Sequence, residues 1–247
     1  MLRVCGLSLQ YPNGKLALSD FGLKVEAGEF VVVLGGNGSG KSTLLRCITR
    51  TLKPTAGEIW LGDTELCALE GEKLRKARLA LSMVWQHASL VRRSNVLTNV
   101  AAGALGRHST LRTVVAGLPA TELQAARGYL ADVGLADLAE QRAGTLSGGQ
   151  AQRVAIARSL AQRPRVLLAD EPIASLDPDA SEEIMRLLQR LARSERLAVL
   201  CVLHQVELAY AYADRVIGIR AGRIAFDLPR GEVSRDAVRR LYGSEAA

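Results

Sequence analysis

Phe30-Val31-Val32-Val33-Leu34, followed at once by Gly35-Gly36-Asn37-Gly38-Ser39-Gly40-Lys41-Ser42, is the stretch on which the reading of this chain turns. The first five residues form a continuous apolar, β-branched run, the pattern of a strand buried on both faces. The next eight fit G-x-x-x-x-G-K-[ST], and a helix is predicted from about Lys41, stopping before Lys53-Pro54 because proline disfavours helix in the residue that precedes it. A strand, a glycine loop and a helix in that order separate a phosphate cradle from a chance glycine-rich turn. The glycines let the backbone wrap tightly, so that successive N–H groups converge on phosphate oxygens. The helix N-terminus adds its partial positive charge. Lys41 would reach the β- and γ-phosphates, and the Ser42 hydroxyl oxygen would face Mg²⁺.

Such a cradle needs a carboxylate at the end of a neighbouring strand, and Val166-Leu167-Leu168-Ala169-Asp170-Glu171 provides one. Asp170 stands on the metal side. Glu171, one residue on, points a second carboxylate towards the γ-phosphate, where it could polarise an attacking water. Further along, Leu197–Leu203 reads as another buried strand and Val216–Ile219 as a third, ahead of an Ala221-Gly222 turn. Asp177-Pro178 opens a helix with a capping side chain and a proline at the first helical position. Its buried stripe is Ile184, Leu187, Leu188 and Leu191. At the front of the chain Leu7, Leu9 and Tyr11 alternate with polar residues before a Pro12-Asn13-Gly14 turn. Between Ala88 and Ala161 strand signals nearly vanish; Leu123, Ala126, Leu130 and Val133 recur at helical spacing, with Gly103–Pro119 as a looser connection. The expectation is one α/β unit over residues 1–247: a parallel-sheet core with an N-terminal antiparallel β subdomain over 1–87 and 162–247, and an inserted helical lobe over 88–161.

Composition narrows the class. Thirty-two basic against twenty-five acidic residues leave a formal charge of +7. That surplus points to an acidic partner: phosphate groups, a membrane surface or nucleic acid. Two Trp, five Tyr and three Phe are too few for the stacking platforms of a single-strand binder, so no nucleic-acid partner is expected. The longest strongly apolar run, Leu197–Leu203, is far short of the ~20 residues that span a bilayer. The start, MLRVCGLSLQY, lacks a basic segment followed by an apolar signal core. The four cysteines, Cys5, Cys47, Cys67 and Cys201, are scattered and read as small core residues, with neither disulfide nor zinc site expected.

With these motifs in place the chain resembles the ATP-binding cassette ATPases, a P-loop NTPase fold. Leu146-Ser147-Gly148-Gly149-Gln150 is similar to the family's signature motif, Ser175-Leu176-Asp177 to its D-loop, Gln86 to its Q-loop glutamine and His204 to its switch histidine. Tyr11 matches the aromatic that stacks on adenine. The resemblance runs from about residue 2 to 243. It implies ATP contacts from Tyr11, Gly35, Gly36, Asn37, Gly38, Ser39, Gly40, Lys41, Ser42 and Thr43, and Mg²⁺ contacts from Ser42, Gln86 and Asp170. It makes Glu171 and His204 the catalytic pair. It also implies a homodimer in which Ser147, Gly148, Gly149, Gln150 and Asp177 close over the partner's ATP, because one chain offers its own signature helix no second γ-phosphate. Trp85, Ala151 and Ile173 depart from the commonest residues of the family, and none removes a catalytic group.

A narrower likeness concerns Gly103–Arg112, Leu203-His204-Gln205-Val206 and Tyr212–Arg220, which resemble the ATPase subunits of bacterial phosphonate importers. That resemblance implies an ATP-hydrolysing translocase subunit on the cytoplasmic face of the inner membrane. Its partners would be a separate permease and, indirectly, a periplasmic substrate-binding protein. Permease contact is expected near Gln86–Asn99, where Arg92 and Arg93 suit either permease or solvent. Two soluble alternatives stay open at this point. One is a nucleotide-gated clamp in a phosphonate-degrading complex. The other is a nucleic-acid- or ribosome-associated ATPase, although such proteins typically carry two cassettes or a long coiled-coil insertion and this chain has neither.

Overall fold

A computed structural model describes residues 1–108, 113 and 117–242. Among these, β1 (Leu2–Gln10) and β2 (Leu16–Val25) form an antiparallel pair joined by a turn in which Gly14 takes φ +82°. β3 (Phe30–Leu34) leads through the glycine loop into α1 (Lys41–Ile48), which ends earlier than expected. β4 (Ala56–Leu61) and β5 (Thr64–Glu65) complete a four-stranded sheet of order β2-β1-β4-β5. α2 (Gly71–Ala77) and a 3₁₀ turn, Arg78–Ala80, precede β6 (Leu81–Val84).

Helical structure then takes over. It comprises α3 (Val96–Ala101), a 3₁₀ segment (Ala102–Arg107), α4 (Ala120–Asp132), two short 3₁₀ turns and α5 (Gly148–Ala161). An isolated Asn95–Arg142 bridge is the one β pairing among the described residues of this stretch. Sheet structure resumes with β7 (Val166–Asp170), α6 (Pro178–Ser194), β8 (Ala198–Leu203) and α7 (Val206–Tyr212). β9 (Arg215–Arg220), β10 (Arg223–Pro229) and α8 (Arg235–Tyr242) follow. The larger sheet has the order β10-β9-β3-β8-β7-β6, with β10 antiparallel to β9 and the other neighbours parallel.

Period-two alternation explains why β3 is apolar throughout. Phe30, Val32 and Leu34 enter one buried cluster with α5, α6 and the helical segment, while Val31 and Val33 enter a second with α1 and the antiparallel sheet. α3, α4 and α5 pack on one another, and α5 also reaches β6 and α6, so it ties the helical stretch to the sheet.

Three sequence readings need correction. On α4 Leu123 is 37% exposed, and the buried positions are Ala126, Leu130 and, unexpectedly, Glu122. Glu122 tolerates burial because Arg107 donates to it at 2.6 Å and His108 Nε2 lies at 3.1 Å. Only Cys47 and Cys201 are core residues, Cys5 being exposed and Cys67 half-buried. Tyr11 lies just past the end of β1 and is half-buried. Of the Gly103–Arg112 likeness, residues 109–112 lie outside the described residues. No helix among the described residues is long and apolar enough to cross a membrane.

Candidate functional site: a split nucleotide site

Strand register builds the site. Leu34 of β3 pairs with Leu203 of β8, and Val202 of β8 pairs with Asp170 of β7. β3 and β8 therefore end level and β7 one residue earlier, and the residues that follow them (Gly35, His204 and Glu171) emerge along one edge of the sheet. This is where ligands bind in parallel α/β proteins.

The loop leaves β3 tightly. A Cβ on Gly35 would lie 2.5 Å from the Ile219 carbonyl oxygen, and one on Gly40 2.7 Å from that of Ala17, with Gly40 at φ +113°. These two positions need glycine; Gly36 and Gly38 face open space. Lys41 opens α1 with its ammonium buried, donating to the Gly35 carbonyl at 2.7 Å and to that of Gly36 at 3.1 Å. Burial pushes its pKa down, and the nearby Glu171 and Asp170 carboxylates act against that shift. Ser42 donates its hydroxyl to Asp170 Oδ1 at 3.2 Å. Burial raises the Asp170 pKa, the Ser42 hydrogen bond offsets part of this, and the charge of Glu171 adds to it.

Glu171 sits in the left-handed region, at φ +48°, with its N–H bonded to the Val202 carbonyl. That conformation is strained for a side-chain-bearing residue. It turns the carboxylate back over the sheet edge, where Oε1 lies 2.6 Å from His204 Nε2. Two adjoining cavities open here. One, of about 230 Å³, is lined by Tyr11, Lys15, Ala17, Glu171 and loop residues from Asn37 to Thr43, and the Tyr11 hydroxyl lies 3.1 Å from that of Thr43. The other, of about 700 Å³, is lined by Gly36–Ser39, His204, Arg220 and Tyr242 among others.

The remaining predicted residues stand elsewhere. Ser147 caps α5 in a reciprocal box: its hydroxyl accepts from the Gln150 N–H at 3.3 Å and the Gln150 side chain accepts from the Ser147 N–H at 3.0 Å. Gly148 and Gly149 form the first turn of α5, and their missing Cβ atoms leave room for Leu176 and Ala180. Asp177 caps α6 through the Ala180 N–H at 2.8 Å, and with Leu176 and Ala180 against Gly148 and Gly149 the two motifs share one surface. None of Ser147–Gln150 or Asp177 lines either cavity. Gln86 is exposed beyond β6 and lines neither cavity. The segment around it is tethered to α5, Gln152 donating to the Trp85 carbonyl at 2.9 Å and Arg158 to those of Ala88 and Ser89 at 2.7 and 2.9 Å. Gln152, Arg158, Arg220 and Tyr242 carry no motif, and nothing in the sequence singles them out.

Among the described residues no group of three or more His, Cys, Asp or Glu converges as a metal cage. Ser42 and Asp170 instead present two hard oxygens beside the cradle. That set fits Mg²⁺, which takes few protein ligands and completes its shell with phosphate and water.

A P-loop at the end of a parallel strand, a carboxylate pair beside it and a separate glycine-opened helix N-terminus together define an ATP-binding cassette. The family model described as "ABC transporter" matches residues 18–174. The "Phosphonates import ATP-binding protein PhnC" of Wolinella succinogenes is 43% identical over 245 residues, spanning 99% of this chain and 89% of its own length. A protein of the same description from Rhodopseudomonas palustris, PhnC 1, is 44% identical over 245 residues, spanning 99% and 88%. Among solved structures, cbiO1 of Clostridium perfringens, described as part of the ABC transporter complex cbiONQ, aligns with a TM-score of 0.84 at 31% identity over 97% of this chain and 92% of its own. The cassette MJ0796, in a dimeric post-hydrolysis state bound to ADP and Pi, gives 0.80 at 31% identity over 93% and 99%. The chain belongs to the ABC transporter family.

Proposed function

We propose that this chain is the ATP-hydrolysing subunit of an importer for phosphonates or related phosphorus oxyanions, working as a homodimer of cassettes at the cytoplasmic face of the inner membrane. The observation that carries the ATPase reading is the convergence of Lys41, Ser42–Asp170 and Glu171–His204 on one sheet edge. The transport reading draws on the phosphonate-import relatives, at 43 and 44% identity.

The loop N–H groups and the N-terminus of α1 bind the ATP phosphates, and Tyr11 lies where it would stack on the base. Lys41, now held on loop carbonyls, is freed to turn to the β- and γ-phosphates. Ser42 and Asp170 would hold Mg²⁺, which would supply charge neutralisation in the transition state. Glu171 accepts the proton of the attacking water while His204 keeps its carboxylate aimed. The water oxygen bonds the γ-phosphorus, the bond to the bridging oxygen breaks, and ADP and phosphate result. The N-terminus of the partner's α5, with Ser147, Gly148, Gly149 and Gln150, closes over the γ-phosphate, and the partner's D-loop carrying Asp177 lies against it. Gln86, exposed beyond β6 here, would be added to the residues holding the metal only in that closed state.

Residues 88–161 act in this reading as the lobe that transmits closure, and the permease docks beside the tethered Gln86 segment. A periplasmic binding protein and the permease select the cargo. The test is reconstitution with the permease in liposomes, where ATP hydrolysis and uptake of a phosphonate should rise together. Hydrolysis indifferent to the permease, with soluble enzymes as the only co-purifying partners, would instead indicate a soluble clamp.

A further inference from the structure

We propose that the cleft between β4–β5, α2 and the C-terminal end of α5 is a second anion site, built for a phosphate monoester or phosphonate group and separate from the P-loop. Its lining brings together Lys76 of α2, Arg107 of the 3₁₀ segment, and Arg163 and Arg165 beyond α5, around a space of about 350 Å³. No carboxylate lines it. Among the described residues Glu122 is the one acid ion-paired with these four cations, taking Arg107 at 2.6 Å and Arg163 at 3.7 Å. Lys76 and Arg165 make no ion pair among the described residues. Four cations against one carboxylate leave an excess of three positive charges in one concavity.

Backbone conformation adds a second observation. Arg163 takes φ +57°, with its N–H bonded to the Leu160 carbonyl at 2.7 Å, just past the end of α5. A helix ending of this kind favours glycine. The left-handed turn there sets the Arg163 side chain on the cleft rim, beside Arg165 and Arg107. The chemistry of the walls defines the ligand. Guanidinium forks match the oxygens of a phosphoryl group. Thr64 and its cross-strand partner Leu61 share the β4–β5 wall, the one adding a neutral hydroxyl and the other an apolar surface for a small organic substituent.

The phosphoryl group could belong to a free small molecule or to a lipid headgroup, and one experiment separates the sources. Binding of methylphosphonate and of inorganic phosphate to the full chain, with its P-loop saturated by Mg²⁺-ADP, is measured by titration calorimetry. Retention is measured on phosphatidylcholine vesicles with and without phosphatidylglycerol. The cleft pair Lys76→Gln/Arg165→Gln is compared with a control pair of equal charge loss, Arg196→Gln/Arg223→Gln. Free-anion binding that weakens at least tenfold in the cleft pair and is unchanged in the control supports a site for a free oxyanion. Phosphatidylglycerol-dependent retention lost in the cleft pair alone, without free-anion binding, supports a headgroup site. Binding that survives in the cleft pair, weakens equally in both pairs, or is absent with every probe overturns the proposal.

Discussion

Glu171 and Asp170 are neighbours with opposite conformational fates. Asp170 ends its strand and stays half-buried against Ser42; Glu171 flips into a left-handed backbone and meets His204 at 2.6 Å. A general base contributes roughly 10²–10⁴-fold to a rate. Glu171→Gln should therefore lower ATP turnover at least about 100-fold while ATP still binds, measured by phosphate release and nucleotide titration; turnover within a few-fold of wild type would remove Glu171 from that role. Asp170 makes a complementary case. Its folded pKa lies above the ordinary value because burial disfavours the charge, so the fold carries a penalty that is absent below the ordinary Asp range and grows as pH rises through the raised value. Asp170→Asn should raise the melting temperature of the nucleotide-free protein by about 2 °C at pH 7, with the difference shrinking towards pH 4. The same variant should lose the added stability that Mg²⁺-ATP gives the wild type. A drop in melting temperature at pH 7 would contradict the assignment of burial as the dominant cause. At this scale most of the P-loop cluster was legible, because Gly35–Ser42 and Asp170-Glu171 declare themselves by residue type and by what flanks them. The left-handed turn at Glu171 was not, since nothing local demands it.

Among the elements, α4 shows how a pattern misleads. Leu123 keeps the helical period yet is exposed, and Glu122 takes the buried place because Arg107 and His108, more than a dozen residues earlier, come to meet it. A partner that far away in sequence leaves no trace in the periodicity of the helix. Burial pushes the Glu122 carboxyl up, but hydrogen bonds from His108 and Arg107 with the charges of Arg107 and Arg163 outweigh it, and the net pKa is lowered. Its stabilisation is thus present above the ordinary Glu range and is lost as pH falls through the lower folded value. Glu122→Gln should cost about 1–2 kcal/mol at pH 7 by urea unfolding, a discount on a fully buried pair because Arg107 is partly exposed. The cost should fade on acidification; a pH-independent difference would point to packing instead. Gly103 gives a steric counterpart, for a Cβ there would lie 2.0 Å from the Arg158 carbonyl oxygen. Gly103→Ala should lower stability by about 1–3 kcal/mol as the 3₁₀ segment is forced away from α5, and an unchanged unfolding midpoint would show that this contact yields freely. Strand identities read well from FVVVL and its counterparts. Their order and register did not, and it is the near-level ending of β3, β8 and β7 that assembles the site.

At the scale of the whole molecule the proposed site residues fall on two separate surfaces of the chain. The P-loop, Glu171 and His204 line one, with Asp170 behind them on Ser42; Ser147–Gln150 and Asp177, brought together where Leu176 and Ala180 pack on Gly148 and Gly149, occupy the other. The sequence marked both groups by motif but not their separation, which only the placement of α5 relative to the sheet defines. The basic surplus likewise resolves into particular places, among them the cleft of Lys76, Arg107, Arg163 and Arg165. In the proposed homodimer two such half-sites, one from each chain, complete a nucleotide site when ATP joins them. Light-scattering mass of the Glu171→Gln protein, with and without Mg²⁺-ATP, tests it most directly. The mass should shift from the 26.5 kDa monomer to twice that value on adding ATP, and should not shift when Ser147→Arg blocks the helix N-terminus. A Glu171→Gln protein that binds Mg²⁺-ATP and remains at 26.5 kDa would contradict it.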